Sequence, residues 1–307
     1  MLPCTVRGIL SAASIERIFE IPMTNSKPQS ERLKATQIEK GKQFRALHER
    51  NRTFIIPNPW DAGSARLLEH LGFEALATTS MGYAFSMGRR DNSLSRDETL
   101  ENAAAIARAT SLPVSADLEN GFGNSPEAVA ETIKLAAETG IVGGSIEDAT
   151  GKADDPIYDL ELAVERVQAA VEAARALSFP FTLTARAENY LHGRPNIGDT
   201  ITRLQAFQDA GADVLYAPGL ATKEDIVSVV SAVDRPVNVL MGLRGVLLTA
   251  ADLEQIGVRR ISVGSSLERT ALAAFLDAAR EMREHGTFTY AAQAANPAEI
   301  SKLFTNR

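Results

Sequence analysis

Cysteine is nearly missing from this chain. Cys4 is the single one in 307 residues, so no disulfide can form within the chain, and a reducing compartment is its natural setting. Histidine is scarce too: the four histidines show no metal-ligand spacing, which argues against a His- or Cys-built zinc site. No apolar run approaches the roughly 20 residues needed to cross a bilayer. There is no surplus of positive charge: 32 Lys and Arg stand against 39 Asp and Glu, a net charge of -7. That argues against the clustered basic surface a nucleic-acid partner needs. No Gly-x-Ser-x-Gly elbow, P-loop or Gly-x-Gly-x-x-Gly fingerprint follows a strand-like run.

What is present is an ordinary globular composition, 45% hydrophobic and 23% charged, with enough length for one large domain or two average ones. Residues 1–45 read as a poorly defined N-terminal extension. Its start, "MLPCTVRGILSAASIERIFEIPM", carries an apolar patch and two arginines. It also carries Glu16 and Glu20, acids that a mitochondrial presequence avoids; the expected location is cytoplasmic, and Met23 offers an alternative start. The following polar stretch runs into an amphipathic helix. Residues 46–307 read as a single barrel domain with a C-terminal helical tail.

From residue 53 onward, short β-branched runs alternate with Ala-, Glu- and Leu-rich helical stretches. The pattern predicts strands at 53–58, 74–80, 113–119, 141–148, 181–188, 212–218, 236–240 and 259–264. Helices are predicted between them at 61–72, 95–110, 125–140, 159–178, 199–211, 223–233 and 249–257, with a long final one at 267–285. Ser95 precedes Glu98 by three residues, a capping box; Ser125-Pro126 opens a helix that Gly140 closes. Eight strand–helix units point to a parallel α/β (β/α)8 TIM barrel; a doubly wound open sheet is the alternative.

Barrel chemistry sits at the C-terminal ends of the strands. There the sequence places Asn58, Ser80, Asp117 with Glu119, Glu147 with Asp148, and Arg186 with Glu188. Several like charges on one rim require neutralisation, and oxygen ligands without His or Cys suit Mg²⁺ or Mn²⁺. The pair Asp117 and Glu119 reads as half of such a site, with the glycines after Glu119 letting the backbone turn, and Asp117, Glu119 and Glu147 as a set read as metal ligands rather than helix caps. A single acid in this position more often caps the next helix, and Asp148 or Glu188 could instead pair with Arg186 or a nearby lysine. His192 lies in the loop after the fifth strand, where it faces substrate or solvent. "VGSSLER" (263–269) ends the eighth strand at a helix start, a weak phosphate-site signal.

The ordered set "PNPWDAGSARLLEHLGFEALATTS", "SMGRRD", "SADLENGFGN", "GGSIED" and "TARAENY" resembles the isocitrate lyase/phosphoenolpyruvate mutase superfamily over about residues 50 to 265. The resemblance implies a (β/α)8 barrel whose last helix is often swapped between subunits, hence a homodimer or homotetramer. It also implies Mg²⁺ and a small α-keto or enolpyruvate-type carboxylate. Residue by residue, it makes Asp117 the most direct metal ligand, with Glu119 standing where many members have Asp. Glu147 and Asp91 become acids that reach the metal largely through water. Thr79, Ser80 and the backbone near Gly82 become the substrate-carboxylate segment, and Arg186 the arginine that contacts substrate. The lid after the fourth strand reads "EDATGKADDPIYD". It holds neither the Cys nor the His of the isocitrate and methylisocitrate lyases, nor the Asn-Ser pair of phosphoenolpyruvate mutase; Lys152 is its one cation. This is similar to the branch of oxaloacetate decarboxylase-like and carboxyphosphonoenolpyruvate mutase-like proteins.

The expected activity is Mg²⁺-dependent carbon–carbon cleavage of a small keto or hydroxy di- or tricarboxylate through an enolate, with Arg186, Asp91 and Lys152 as catalytic groups. The alternatives are a phosphonomutase acting on a phosphoenolpyruvate-type substrate and a barrel that binds a metabolite without turning it over.

Overall fold

Pro57 stands where the sheet closes between its first and second strands. The computed structural model describes residues 36–243 and 246–304. Its strands are β1 (Phe54–Ile56), β2 (Leu76–Ala77), β3 (Val114–Asp117), β4 (Gly143–Glu147), β5 (Thr182–Arg186), β6 (Val214–Tyr216), β7 (Val237–Leu240) and β8 (Arg260–Ser262). All ladders are parallel, in the order β1-β8-β7-β6-β5-β4-β3-β2. Between β1 and β2 a ladder gives way to single bonds: Ala77 N–H donates to the Pro57 carbonyl at 3.1 Å, and Asn58 Nδ2 to the Thr78 carbonyl at 2.9 Å. Pro57 has no N–H to return. The result is a nearly closed (β/α)8 TIM barrel, as the alternation of the sequence predicts, and not the doubly wound sheet. Each strand is shorter at one or both ends than its apolar run.

The helices are α1 (Gln37–Glu49), α2 (Ala62–His70), α3 (Ser80–Ser86), α4 (Arg96–Ala109), α5 (Pro126–Glu138) and α6 (Leu160–Arg175). They continue with α7 (Ile197–Asp209), α8 (Lys223–Ala232), α9 (Ala250–Gln255), α10 (Ser266–His285) and α11 (Pro297–Phe304). The predicted capping box forms: Ser95 N–H donates to Glu98 Oε2 at 2.7 Å, and Glu98 N–H to Ser95 Oγ at 3.3 Å. Helix α3 was not anticipated. Thr79 caps it by accepting from Gly82 N–H at 3.2 Å, which cuts the second strand short and turns the chain across the barrel mouth.

Strand residues alternate with period two. Val114, Ala116, Ile146 and Leu183 face outward into a core with Ile106, Val129 and Ile133. Ala185, Leu215, Val237, Val239 and Ile261 face a second core with Leu204, Phe207 and Leu253. Polar side chains, Ser115, Ser145, Asn238, Arg260 and Ser262, line a cavity inside the barrel beside Ile56, Ala77 and Leu240. Barrels of this type more often fill that space with branched apolar side chains.

The compact unit containing the barrel spans residues 35–274, so it starts ahead of residue 46: Phe44 and Leu47 of α1 are buried with Phe54, Ile56, Ala75 and Val142. Gly143 is required there, since a Cβ would stand 2.8 Å from Phe44 Cε1 and 2.8 Å from the Thr182 carbonyl. Cys4, Met23 and the rest of residues 1–35 lie outside the described residues. The described part of the second unit is residues 275–304. It contains the end of α10, a 3-10 turn at Thr289–Gln293 and α11. There the Glu281 carboxylate accepts from Thr287 Oγ1, Thr289 N–H and Tyr290 N–H at 2.8, 2.5 and 3.2 Å. Among the described residues no helix is long and apolar enough to cross a membrane.

Candidate active site

Arg186 is the centre of the site. It ends β5, in register with Glu147 at the end of β4, and each nitrogen of its guanidinium meets a different carboxylate. Nη1 lies 2.9 Å from Asp117 Oδ1, Nη2 3.0 Å from Glu147 Oε2, and Nε 2.8 Å from Glu188 Oε1. The planar fork presents separate donors to the three acids in fixed directions, where a lysine offers a single point charge. The Tyr216 ring lies under it, 5.3 Å from ring centroid to guanidinium carbon. Burial works against the Arg186 charge, but Glu188, Glu147 and Asp117 outweigh it and raise its pKa well above the ordinary value.

Helix α3 holds the other side of Asp117. Ser80 donates to Asp117 Oδ2 from its N–H at 3.2 Å and from Oγ at 2.9 Å, and Thr78 Oγ1 accepts from Asp117 N–H at 2.9 Å. Glu119 sits in the left-handed region at φ 49°, and Phe122 follows at φ 58°. A non-glycine residue there costs about 1–2 kcal/mol, strain of the kind found at functional sites. Glu119 Oε1 is buried without a hydrogen-bond partner. Burial, then Asp117 and Asp91, push the Glu119 carboxyl up to about 8. Asp91 is also raised, by burial and then Asp117, and Glu147 is raised well above its ordinary value by burial.

These groups line a cavity of about 530 Å³ at the C-terminal mouth of the barrel, which holds Thr79, Ser80, Asp91, Asp117, Glu119, Glu147, Arg186 and Glu188. Two expected residues lie elsewhere. Gly82 is turned away from the cavity into α3, its N–H occupied by Thr79. Lys152 is exposed on the segment after β4 and does not line the cavity. That segment is pinned at its base by the Ala149–Ile157 bridge. The choice left open for Asp148 and Glu188 resolves as two different pairs. Asp148 is buried away from the cavity and accepts from Arg203 Nη1 at 3.1 Å and Glu188 N–H at 2.8 Å; Glu188 itself binds Arg186. His192 lines the cavity from an exposed loop. In the 263–269 stretch, read as a weak phosphate-site signal, the N–H groups of Val263 and Gly264 donate to Asn58 Oδ1 at 2.9 and 3.0 Å.

Tyr216, Asn238 and Arg260 were missed by reading strand ends alone. The inward parity of β6, β7 and β8 was the signal for them, since polar side chains alternate there with Leu215, Val237, Val239 and Ile261.

Among the described residues no three acidic, His or Cys side chains form a ready cage for a metal. Mg²⁺ does not need one, because it keeps several waters and takes one or two carboxylates. Two features fit that mode. Glu119 Oε1 is buried and unpartnered, and the acids Asp91, Asp117, Glu119, Glu147 and Glu188 crowd the one guanidinium of Arg186.

A family model for phosphoenolpyruvate phosphomutase matches residues 44–283. The chain belongs to this family, within the isocitrate lyase/phosphoenolpyruvate mutase superfamily. A Burkholderia cenocepacia structure described no more finely than as a lyase/mutase is 61% identical, covering 88% of this chain and 97% of its own, with a TM-score of 0.86. An oxaloacetate decarboxylase of Pseudomonas aeruginosa is 28% identical over 279 residues, 89% of this chain and 93% of its own. A phosphonopyruvate hydrolase solved with oxalate and Mg²⁺ is 25% identical, covering 88% of this chain and 95% of its own, with a TM-score of 0.78. The superfamily therefore holds lyases and mutases, and members bind small carboxylates and a divalent metal.

Proposed function

We propose that this chain is a Mg²⁺-dependent lyase that cleaves a carbon–carbon bond in a small α-keto or hydroxy di- or tricarboxylate through an enolate. The observation that carries the reading is the Arg186 fork, bonded to Asp117, Glu147 and Glu188 at the ends of three successive strands. Asp117 and Glu119 would hold the cation, with Glu147 and Asp91 acting through water. Mg²⁺, when bound, would supply Lewis-acid stabilisation of developing oxyanion charge.

The chain's own groups account for the rest. Arg186 contributes preorganised positive charge beside the reacting oxygen. Ser80 and Thr79, fixed by the turn into α3, orient the substrate carboxylate; Ser80 also keeps Asp117 in place. Asp91 has a raised pKa and lines the cavity. Its place in the cavity makes it the acid–base candidate of this reading, whereas exposed Lys152 does not line the cavity. The likeness to an oxaloacetate decarboxylase supports this reading.

A panel of oxaloacetate and related keto and hydroxy diacids with Mg²⁺, read by keto-acid release, tests it. Turnover absent across that panel, with phosphoenolpyruvate or a phosphonate changing its phosphorus NMR spectrum instead, favours the phosphonomutase reading. That second reading rests on the family match itself. We further propose a homodimer or homotetramer with the last helix exchanged. The exposure of Phe275 (68%) and Phe288 (65%) supports it.

A further inference from the structure

Arg260 is a cavity-lining arginine that the reading above does not use. It opens β8, is only 5% exposed, and points into the barrel. All its partners are uncharged. Nε donates to Asn238 Oδ1 at 2.9 Å, Nη2 to Thr184 Oγ1 at 3.0 Å, and Nη1 meets His48 Nε2 at 3.4 Å. The Phe44 carbonyl, 2.8 Å from His48 Nδ1, fixes the tautomer that leaves Nε2 as acceptor. His48 is held neutral, since burial and then Arg260 push its pKa down to about 3.

A guanidinium has five N–H groups, and three are used here, so two have no partner among the described hydrogen bonds. Nor does any described carboxylate stand within salt-bridge distance of Arg260. A buried charge without a counter-charge is costly. The other buried arginines are arranged differently. Arg186 has its three acids, Arg203 has Asp148 and Asp199, and Arg166 directs its donors to the carbonyls of Asn120, Gly123 and Asn124, outside the cavity.

The surroundings of Arg260 suit an anion. Thr184, its partner on β5, precedes Arg186 by two residues, one inward layer lower, roughly 7 Å of strand rise. The side chains lining that depth include Ser115, Ser145, Asn238 and Ser262, which can donate but carry no negative charge. The cavity is thus acidic at the rim and cationic at the floor.

We propose that Arg260, with Asn238 and the Ser115 and Ser145 hydroxyls, forms a subsite for a carboxylate at the floor of the cavity, beneath the group that Arg186 faces. That this carboxylate is the far end of the substrate rests on the lyase reading. A separate small anion such as chloride is the other source of the same chemistry.

Binding, read without turnover, tests the subsite whatever reaction the enzyme performs. The full chain and its Arg260→Gln and Arg260→Lys variants are titrated calorimetrically with acetate, pyruvate, malonate and succinate, in chloride-free and chloride-containing buffer, with circular dichroism as the check on folding. The expected result is that dicarboxylates bind wild type more tightly than monocarboxylates, and that Arg260→Gln removes about 10-fold or more of that advantage while monocarboxylate affinity stays. Arg260→Lys should keep part of it. If chloride binds wild type but not Arg260→Gln, and dicarboxylates gain nothing, the subsite stands with a free anion as its ligand. Equal affinities for every anion in wild type and both variants would overturn it, leaving Arg260 a purely structural link. Should the variants not fold, a wild-type crystal soaked in bromide and in malonate decides: neither bromide nor a carboxylate in contact with Arg260 rejects the subsite.

Discussion

Asp117 is held from two sides, by Arg186 on one oxygen and Ser80 on the other, and it contributes nothing to the apolar layers. Asp117→Ala should therefore leave the melting temperature within a few degrees of wild type. It should lower kcat by about 100-fold or more, the scale of losing a preorganised electrostatic group. Mg²⁺ titration followed calorimetrically checks the assignment, and unchanged affinity in the variant would remove Asp117 from the metal site. His48 gives a separate prediction. Its folded pKa of about 3 lies below its ordinary value of 6.5, so the unfolded chain binds more protons in that window and stability falls as pH drops through it. The slope from this one group is at most about 1.4 kcal/mol per pH unit. Urea midpoints measured from pH 7 to pH 4 should fall less steeply in His48→Gln than in wild type; parallel curves would mean the ring is not buried neutral.

At the scale of elements, the caps carry local information that the sequence states outright. Ser95→Ala removes the hydroxyl that accepts from Glu98 N–H in the box that starts α4, and leaves the bond from the Ser95 N–H to the Glu98 carboxylate. The expected loss is about 1 kcal/mol, with keto-acid turnover unchanged, because α4 contributes no side chain to the cavity. Gly143 is the opposite case. Nothing next to it in sequence says that Phe44, 99 residues earlier, will press against it. Gly143→Ala should cost about 1–3 kcal/mol through overpacking, measurable by chemical denaturation. Wild-type stability in that variant would mean that α1 can shift away from the strand.

For the whole molecule, the second compact unit exposes Phe275, Leu276, Met282 and Phe288. An obligate assembly that covers such side chains buries above about 2,000 Å². Light scattering at micromolar concentration should then give a dimer or tetramer, and a particle of 33.0 kDa would reject association. The fold itself was legible at this scale. Eight alternations of β-branched and helical runs, each closed by Gly, Pro or a capping residue, leave a parallel barrel as the compact solution. Strand lengths were less legible, because an apolar run continues past the last ladder bond into the loop it anchors, as at 74–80, where only Leu76 and Ala77 pair.

The sequence by itself determined the alternation, the helix caps and the presence of acids and one arginine at the ends of β3, β4 and β5. These are local properties, set by side-chain period and backbone preference. Tertiary structure alone decided which acid meets which cation. Asp148 and Glu188 read alike in sequence, yet one turns to Arg203 and the other to Arg186, since pairing depends on which side of a strand each faces and on helices far along the chain. It also decided that Lys152 and Gly82 stand outside the cavity and that Arg260 stands inside it. Strand tilt and barrel closure bring β8 beneath the end of β5, and no spacing along the chain records that distance.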